Sequence, residues 1–203
     1  MMIIKQIAIG YMDNFSYIVG CENTRQALVI DPGSDVDRIV SVAEKEDLKI
    51  VTIVNTHGHG DHTAGNAALK SRTGARVIIH EHDGDRYPGA DILLTDEKTL
   101  QLGDITFDVI HTPGHTRGGI CLHVQGNLFT GDTLFVGDSG RTDLAGGDRS
   151  SLGKSIRRLM ELPEETVVWP GHDYGPTRTS TLGWEKRNNV NAIEYGYSSR
   201  SEK

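Results

Sequence analysis

The sequence is poor in cysteine, in aromatic residues and in long apolar runs, and it has no surplus of positive charge. Its two cysteines, Cys21 and Cys121, cannot build a disulfide framework, and neither belongs to a Cys-x-x-Cys pair. Cys121 lies inside the apolar run 120–122 and reads as a small buried residue, because reactive thiols sit exposed beside cations. The apolar run 50–54 is far short of the roughly 18 residues that a membrane-spanning helix requires, so no membrane partner is expected. With 28 acidic against 21 basic side chains, the net charge of −7 argues against a surface that tracks nucleic-acid phosphates. Residues 1–6 show no basic segment leading into an apolar core and a cleavage site, which makes the cytoplasm the expected location.

Glycine and histidine, by contrast, are plentiful and clustered. Nine of the 24 glycines fall between residues 114 and 147, and five of the nine histidines lie in three short segments that each follow a strand-like run. Both patterns point to loops built around chemistry.

The 203 residues read as one α/β domain spanning 1–203, with no internal repeat or linker. Short β-branched runs at 3–9, 16–19 and 27–30, punctuated by Asp13-Asn14 and by Glu22-Asn23-Thr24, predict an antiparallel meander. Ser34 is the expected N-cap of a helix with Asp37 in its first turn and Val36, Ile39, Val40 and Ala43 on one face. The unbroken run 50–54 predicts a strand covered on both faces. A helix through Ala64, Ala67 and Ala68 should stop near Gly74. Strands follow at 76–79, 105–110, 120–124 and 128–130. Leu152, Ile156, Leu159 and Met160 mark another helix ending before Pro163, then comes a strand at 166–169. Ser180 opens a last helix through Trp184 and Arg187, and the polar tail 197–203 is expected to fray.

The candidate chemistry sits directly after strands. His57, His59, Asp61 and His62 follow the run 50–54, His115 follows 105–110, Asp132 follows 128–130, and His172 follows 166–169. Loops leaving strand ends gather at one edge of a layered sheet protein, so these side chains can converge despite their separation. His-x-His-x-Asp-His supplies three imidazoles and a carboxylate within six residues, with Gly58 and Gly60 letting the backbone fold tightly around an ion. Nitrogen and carboxylate donors without cysteine suit zinc, iron or manganese.

The set Thr56-His57-x-His59-x-Asp61-His62, His115, Asp132 and His172, preceded by Asp31-Pro32-Gly33, resembles the metallo-β-lactamase-fold hydrolases. It is most similar to their glyoxalase II (hydroxyacylglutathione hydrolase) branch and to the related persulfide dioxygenases, over about residues 3 to 190. The resemblance implies a four-layer αββα sandwich with a metal centre at one edge. It implies one divalent ion on His57, His59 and His115, a second on Asp61, His62 and His172, and Asp132 bridging them. Zinc is the leading choice, with iron or manganese as alternatives. A hydroxide held between ions roughly 3.5–4 Å apart would attack the carbonyl of a small acyl-thioester such as S-lactoylglutathione, and Asp61 would help orient it.

Arg141, in Gly140-Arg141-Thr142-Asp143, reads equally as a fork for a substrate carboxylate or as a partner of Asp138 or Asp143. Tyr174, two residues past His172, is a candidate for lining the pocket. Asp31 reads as structural or supporting, and His111 as a hydrogen-bonding residue beneath the metal loop. His80 and His82 read as a solvated pair. The family's Asn-Pro ending is Asn189-Val190 here, and only about thirty residues follow His172, which implies a short form without the family's C-terminal helical region. Two other functions fit the same residues: a mononuclear iron persulfide dioxygenase, and a non-hydrolytic metal-binding module. A nuclease is disfavoured by the charge balance, and a β-lactamase by the residues at the second metal position.

Overall fold

The computed structural model describes residues 1–95 and 98–195; the tail expected to fray over 197–203 lies outside them. The β-branched runs of the first half form one six-stranded sheet. Its strands are β1 (Met2–Ile9), β2 (Asn14–Cys21), β3 (Gln26–Ile30), β4 (Lys49–Val54), β5 (Arg76–His80) and β6 (Ile92–Leu94), adjacent in that order. The first three make the antiparallel meander, and β3 to β6 run parallel. Parallel neighbours need crossovers, and these carry α1 (Val36–Lys45), α2 (Gly60–Thr63), α3 (Asn66–Thr73) and a 3-10 turn at Glu81–Arg86. The second sheet holds β7 (Thr99–Leu102), β8 (Ile105–His111), β9 (Ile120–Val124), β10 (Asn127–Gly131), β11 (Val167–Pro170) and β12 (Ser180–Thr181). It is antiparallel except for β10 and β11, which are joined through α4 (Arg149–Leu159); α5 (Leu182–Asn188) and α6 (Val190–Glu194) follow β12.

The side chains explain the layers. Phe15, Leu28, Ile30 and Val54 of the first sheet interlock with Phe107, Ile120, Leu122 and Phe129 of the second in one buried cluster. On the outer face of the first sheet, Ile18, Val29 and Ile53 meet Ile39 and Ala43 of α1 and Leu69 of α3. On the outer face of the second, Leu128 and Val168 meet Leu152, Ile156 and Leu159 of α4, Leu182 of α5 and Ala192 of α6. Three apolar interfaces make four layers, αββα, as the resemblance implied. Each fully buried Ile, Leu or Phe here contributes about 1.5–3 kcal/mol relative to exposure, so truncating Phe129 or Leu152 would loosen a whole layer.

Several local expectations are corrected. Ser34 does not cap α1: the N-cap is Asp35, in a left-handed conformation (φ 51°), and its carboxylate accepts from the backbone N–H of Gly10. The helix expected from Ser180 is α5 and starts at Leu182, because Ser180 and Thr181 first pair with Val168 and Val167 as β12 and the Thr181 hydroxyl then caps the Trp184 N–H. The short β6, β7 and α6 were not anticipated, as three to five residues carry too little periodicity to read. His80 is fully buried and stacked on His111 (4.2 Å, 11°), so only His82 of the expected solvated pair is exposed. Cys121 is buried as expected, and burial pushes its thiol up to about 11. Among the described residues, no helix is long and apolar enough to cross a membrane.

Candidate metal centre

Asp31 follows β3, the 57–62 segment follows β4, and His115, Asp132 and His172 follow β8, β10 and β11, so one edge of the stacked sheets collects all of them. Close packing there demands glycine at several points. A Cβ at Gly33 would lie 1.6 Å from the Asp61 carbonyl oxygen, and one at Gly171 would lie 2.4 Å from Asp132 Oδ1. Gly60, expected to serve a tight turn, meets nothing within 4 Å and simply opens α2.

Two separate trios of ligand-type atoms result, with a third group, Asp31, His57 and His62, overlapping both. His57 Nε2 and His115 Nε2 lie 3.1 and 2.9 Å from His59 Nδ1. Beside them, His62 Nε2 lies 3.2 Å from His172 Nε2, and Asp61 Oδ2 lies 3.3 and 3.6 Å from those two nitrogens. Within each trio the atoms are within 4.8 Å of one another, a spacing able to hold a metal ion. Asp132 stands between the trios: Oδ2 is 3.4 Å from His115 and 3.3 Å from His172, and Oδ1 is 3.4 Å from His62.

The outward ring nitrogens decide what the inward ones can do. His115 Nδ1 donates to the Arg141 carbonyl (2.7 Å), His172 Nδ1 to the Met12 carbonyl (2.7 Å), and His62 Nδ1 to Asp31 Oδ2 (3.0 Å). These bonds fix the tautomers and leave lone pairs on the inward nitrogens, as in metal-ligating histidines. Bare nitrogens of His62 and His172 facing each other at 3.2 Å repel unless a cation or proton lies between them. Asp132 Oδ1 is likewise buried without a hydrogen-bond partner. The residues therefore fit divalent ions.

Electrostatics separates the trios. Burial, with the neighbouring imidazoles of His62, His115 and His59, pushes His57 well below its ordinary value, and burial with His115 and Arg86 lowers His59. Burial is the largest single influence on His62 and His172 and opposes their charge, but the carboxylates of Asp132, Asp31 and Asp61 together at His62, and Asp132 with the Met12 carbonyl at His172, outweigh it and raise both. Burial opposes ionisation of Asp132 and Asp61 too, yet the surrounding histidines, with Asn14 at Asp61, hold both below the usual carboxylate range.

A cavity of about 300 Å³ opens above this cluster, lined by His115, Asp132 and His172 and, further out, by Met12, Phe135, Leu144 and Tyr174. Tyr174 stacks on His172 (4.5 Å, 15°) and meets Phe135 edge-on, so the expected pocket residue lies there. Arg141 reaches the mouth, but its guanidinium is held in a fork by Asp143 (2.6 and 2.6 Å); Asp138 instead binds the Ser139 N–H and Asn191.

Three supporting residues were not anticipated. Asn14, read as turn punctuation, donates to Asp61 Oδ2 at 2.8 Å. Thr56 donates its N–H and hydroxyl to Asp31, anchoring the turn that carries His57. Asp83 is buried and accepts from the Gly58 N–H (2.8 Å), the Thr116 hydroxyl (2.7 Å) and the Gly118 N–H (3.1 Å), tying the His57–His59 turn to the His115 loop. Nothing local in the sequence marks Asn14 or Asp83. His111 does support the metal loops, through the Arg117 carbonyl at 2.9 Å.

Fold and cluster together define the class: the chain belongs to the metallo-beta-lactamase superfamily, whose family profile matches residues 10–172. Among its relatives is the hydroxyacylglutathione hydrolase of Rhodospirillum rubrum, 39% identical over 188 residues that cover 91% of this chain and 72% of that one. The chain spans about two thirds of the length of other relatives so named. The crystal structure of ETHE1 from Myxococcus xanthus superimposes with a TM-score of 0.88 at 36% identity, covering 94% of this chain and 85% of that one. The di-iron-bound form of TTHA1623 does so with a TM-score of 0.81 at 31% identity, covering 92% and 98%.

Proposed function

We propose that residues 1–203 form one metal-dependent hydrolase unit of the cytoplasm that cleaves acyl-thioesters. The observation that carries this reading is the pair of converging donor trios with Asp132 between them at the floor of a cavity. Two divalent ions, zinc first by the donor set, would supply Lewis acidity toward the thioester carbonyl and lower the pKa of water toward about 7. Asp61, half-buried at the cavity floor and steered by Asn14, orients the attacking water. Tyr174 keeps its proton, because burial and the carboxylates of Asp132 and Asp61 raise its pKa; its hydroxyl is a neutral donor for the bound substrate. Arg141, through its carbonyl, holds the His115 ring, and its side chain closes the mouth with Asp143. The relatives named hydroxyacylglutathione hydrolase support thioester chemistry.

A second reading, a mononuclear iron oxygenase acting on a persulfide, needs only one of the two donor trios, His57, His59 and His115, to hold an ion. Metal content of the purified protein, measured alongside thioester hydrolysis and oxygen uptake on glutathione persulfide, separates the two. Two ions per chain with thioester turnover are expected; one iron with oxygen uptake and no thioester turnover would overturn the hydrolase reading.

A further inference from the structure

The walls of the cavity narrow the substrate beyond its reactive group. Among the described residues, eight large apolar side chains are exposed, and three of them, Met12 (55%), Leu144 (42%) and Tyr174 (53%), line this one cavity; a fourth, Tyr11, adjoins Met12. Exposed apolar side chains gathered at one mouth rather than scattered mark a surface that is covered when a ligand binds. Phe135 continues the wall inward, edge-on to both Tyr174 and His172, and carries apolar surface from the rim toward the metal cluster.

The charges tell the same story. Arg141 is the one cation among the residues lining the cavity, and both of its forked contacts are taken by Asp143. A substrate carboxylate would have to displace that intramolecular partner for an equivalent one. Asp61 and Asp132 belong to the donor cluster, where bound cations would offset their charge; Asp138, outside it, has the wrong sign for an anionic thiol.

We propose that the site selects thioesters that present an apolar, uncharged group to the Met12–Phe135–Leu144–Tyr174 wall, and that a tripeptide thiol with free carboxylates, such as glutathione, is not its preferred carrier. This rests on the thioester-hydrolase reading. Its energetic source is burial of apolar surface on both partners, and the polar tripeptide offers little such surface.

The test compares kcat/KM of the metal-loaded protein for S-(3-phenylpropionyl)-N-acetylcysteamine and for S-lactoylglutathione. A preference of roughly tenfold or more for the first is expected, the scale on which apolar pockets discriminate. Leu144→Ser and Met12→Ser, both at exposed positions, should each shrink that preference while circular dichroism and metal content stay unchanged. Equal or better turnover of S-lactoylglutathione overturns the specificity and leaves the hydrolase reading standing. An unchanged preference in both variants removes the wall as its cause and overturns the proposal as well. Hydrolysis of neither thioester overturns the hydrolase reading itself.

Discussion

The His57–His59–His115 trio and the Asp61–His62–His172 trio share an edge of the fold and the Asp132 carboxylate, yet their surroundings pull the imidazoles in opposite directions. In the first, all three donors are nitrogen and burial dominates, so His57 and His59 favour the neutral form. In the second, Asp61 is itself a donor and Asp31 backs His62, so His62 and His172 favour the charged form. The first trio is a set of waiting lone pairs. The second is an anionic nest that holds protons until a cation replaces them. Adjacent positions that share the Asp132 carboxylate can therefore differ in how firmly and at what pH they take an ion.

The change that should break the contrast altogether is Asp132→Ala, which removes the carboxylate standing between the trios. Metal content by elemental analysis should fall at both positions, and kcat/KM for a thioester should drop by more than about a hundredfold, the upper end for loss of a merely supporting contact. Near-wild-type turnover would show that Asp132 bridges nothing. Next in size, His59→Ala and His172→Ala should each lose one ion and keep the other. Loss of both ions in either variant would mean that the trios are not separable. Smaller again, Asp83→Asn should weaken metal binding about 10–100-fold at the His57–His59–His115 position alone, since Asp83 holds only the two loops of that trio. Competitive titration with a chromophoric chelator reads this directly, and equal weakening at both positions would make Asp83 a general fold determinant.

The smallest effect lies in the chelator-treated protein. As pH rises from 5 to 8, NMR of the histidine rings should show His57 and His59 already neutral at pH 6.5, while His62 and His172 still carry charge there. The sign for stability follows. The raised histidines contribute stability that is complete below the unfolded value of about 6.5 and is lost as pH rises through their folded values. The lowered pair contributes the reverse, losing stability as pH falls below about 6.5. Four rings titrating together near the unfolded value would erase the distinction.

The two trios also differ in how readily they could be read from the sequence. His57, His59, Asp61 and His62 lie within six residues after one buried strand, so local spacing alone announces them. His115, Asp132 and His172 are single residues in ordinary turns, legible only because each follows a strand that had to enter the same layer. The layers themselves were visible in the β-branched runs and in the spacing of Leu152, Ile156 and Leu159. What stayed hidden depends on contacts across the chain. Asn14 reaches Asp61 from the far end of the meander, and Asp83 joins two loops more than thirty residues apart. Arg141 could be read two ways, and the choice of Asp143 over Asp138 is made by Ser139 and Asn191, which already occupy Asp138. Asn189 was noted for the residue after it. Its weight lies in its own amide, which with buried Glu185 pins the Phe135–Asp138 loop to the cavity wall.

The facing nitrogens of His62 and His172 come from positions 110 residues apart, one after a strand of each sheet. No fragment that contains only the first sheet can form that pair, and the β10–β11 pairing that delivers His172 must wait for the α4 crossover to close. Non-local pairings of this kind form late and slowly. Assembly of both trios is thus a marker of completed folding: a chain made only as far as β10 can bring together at most His57, His59 and His115 with Asp132, and it acquires the full cluster only when β11 docks.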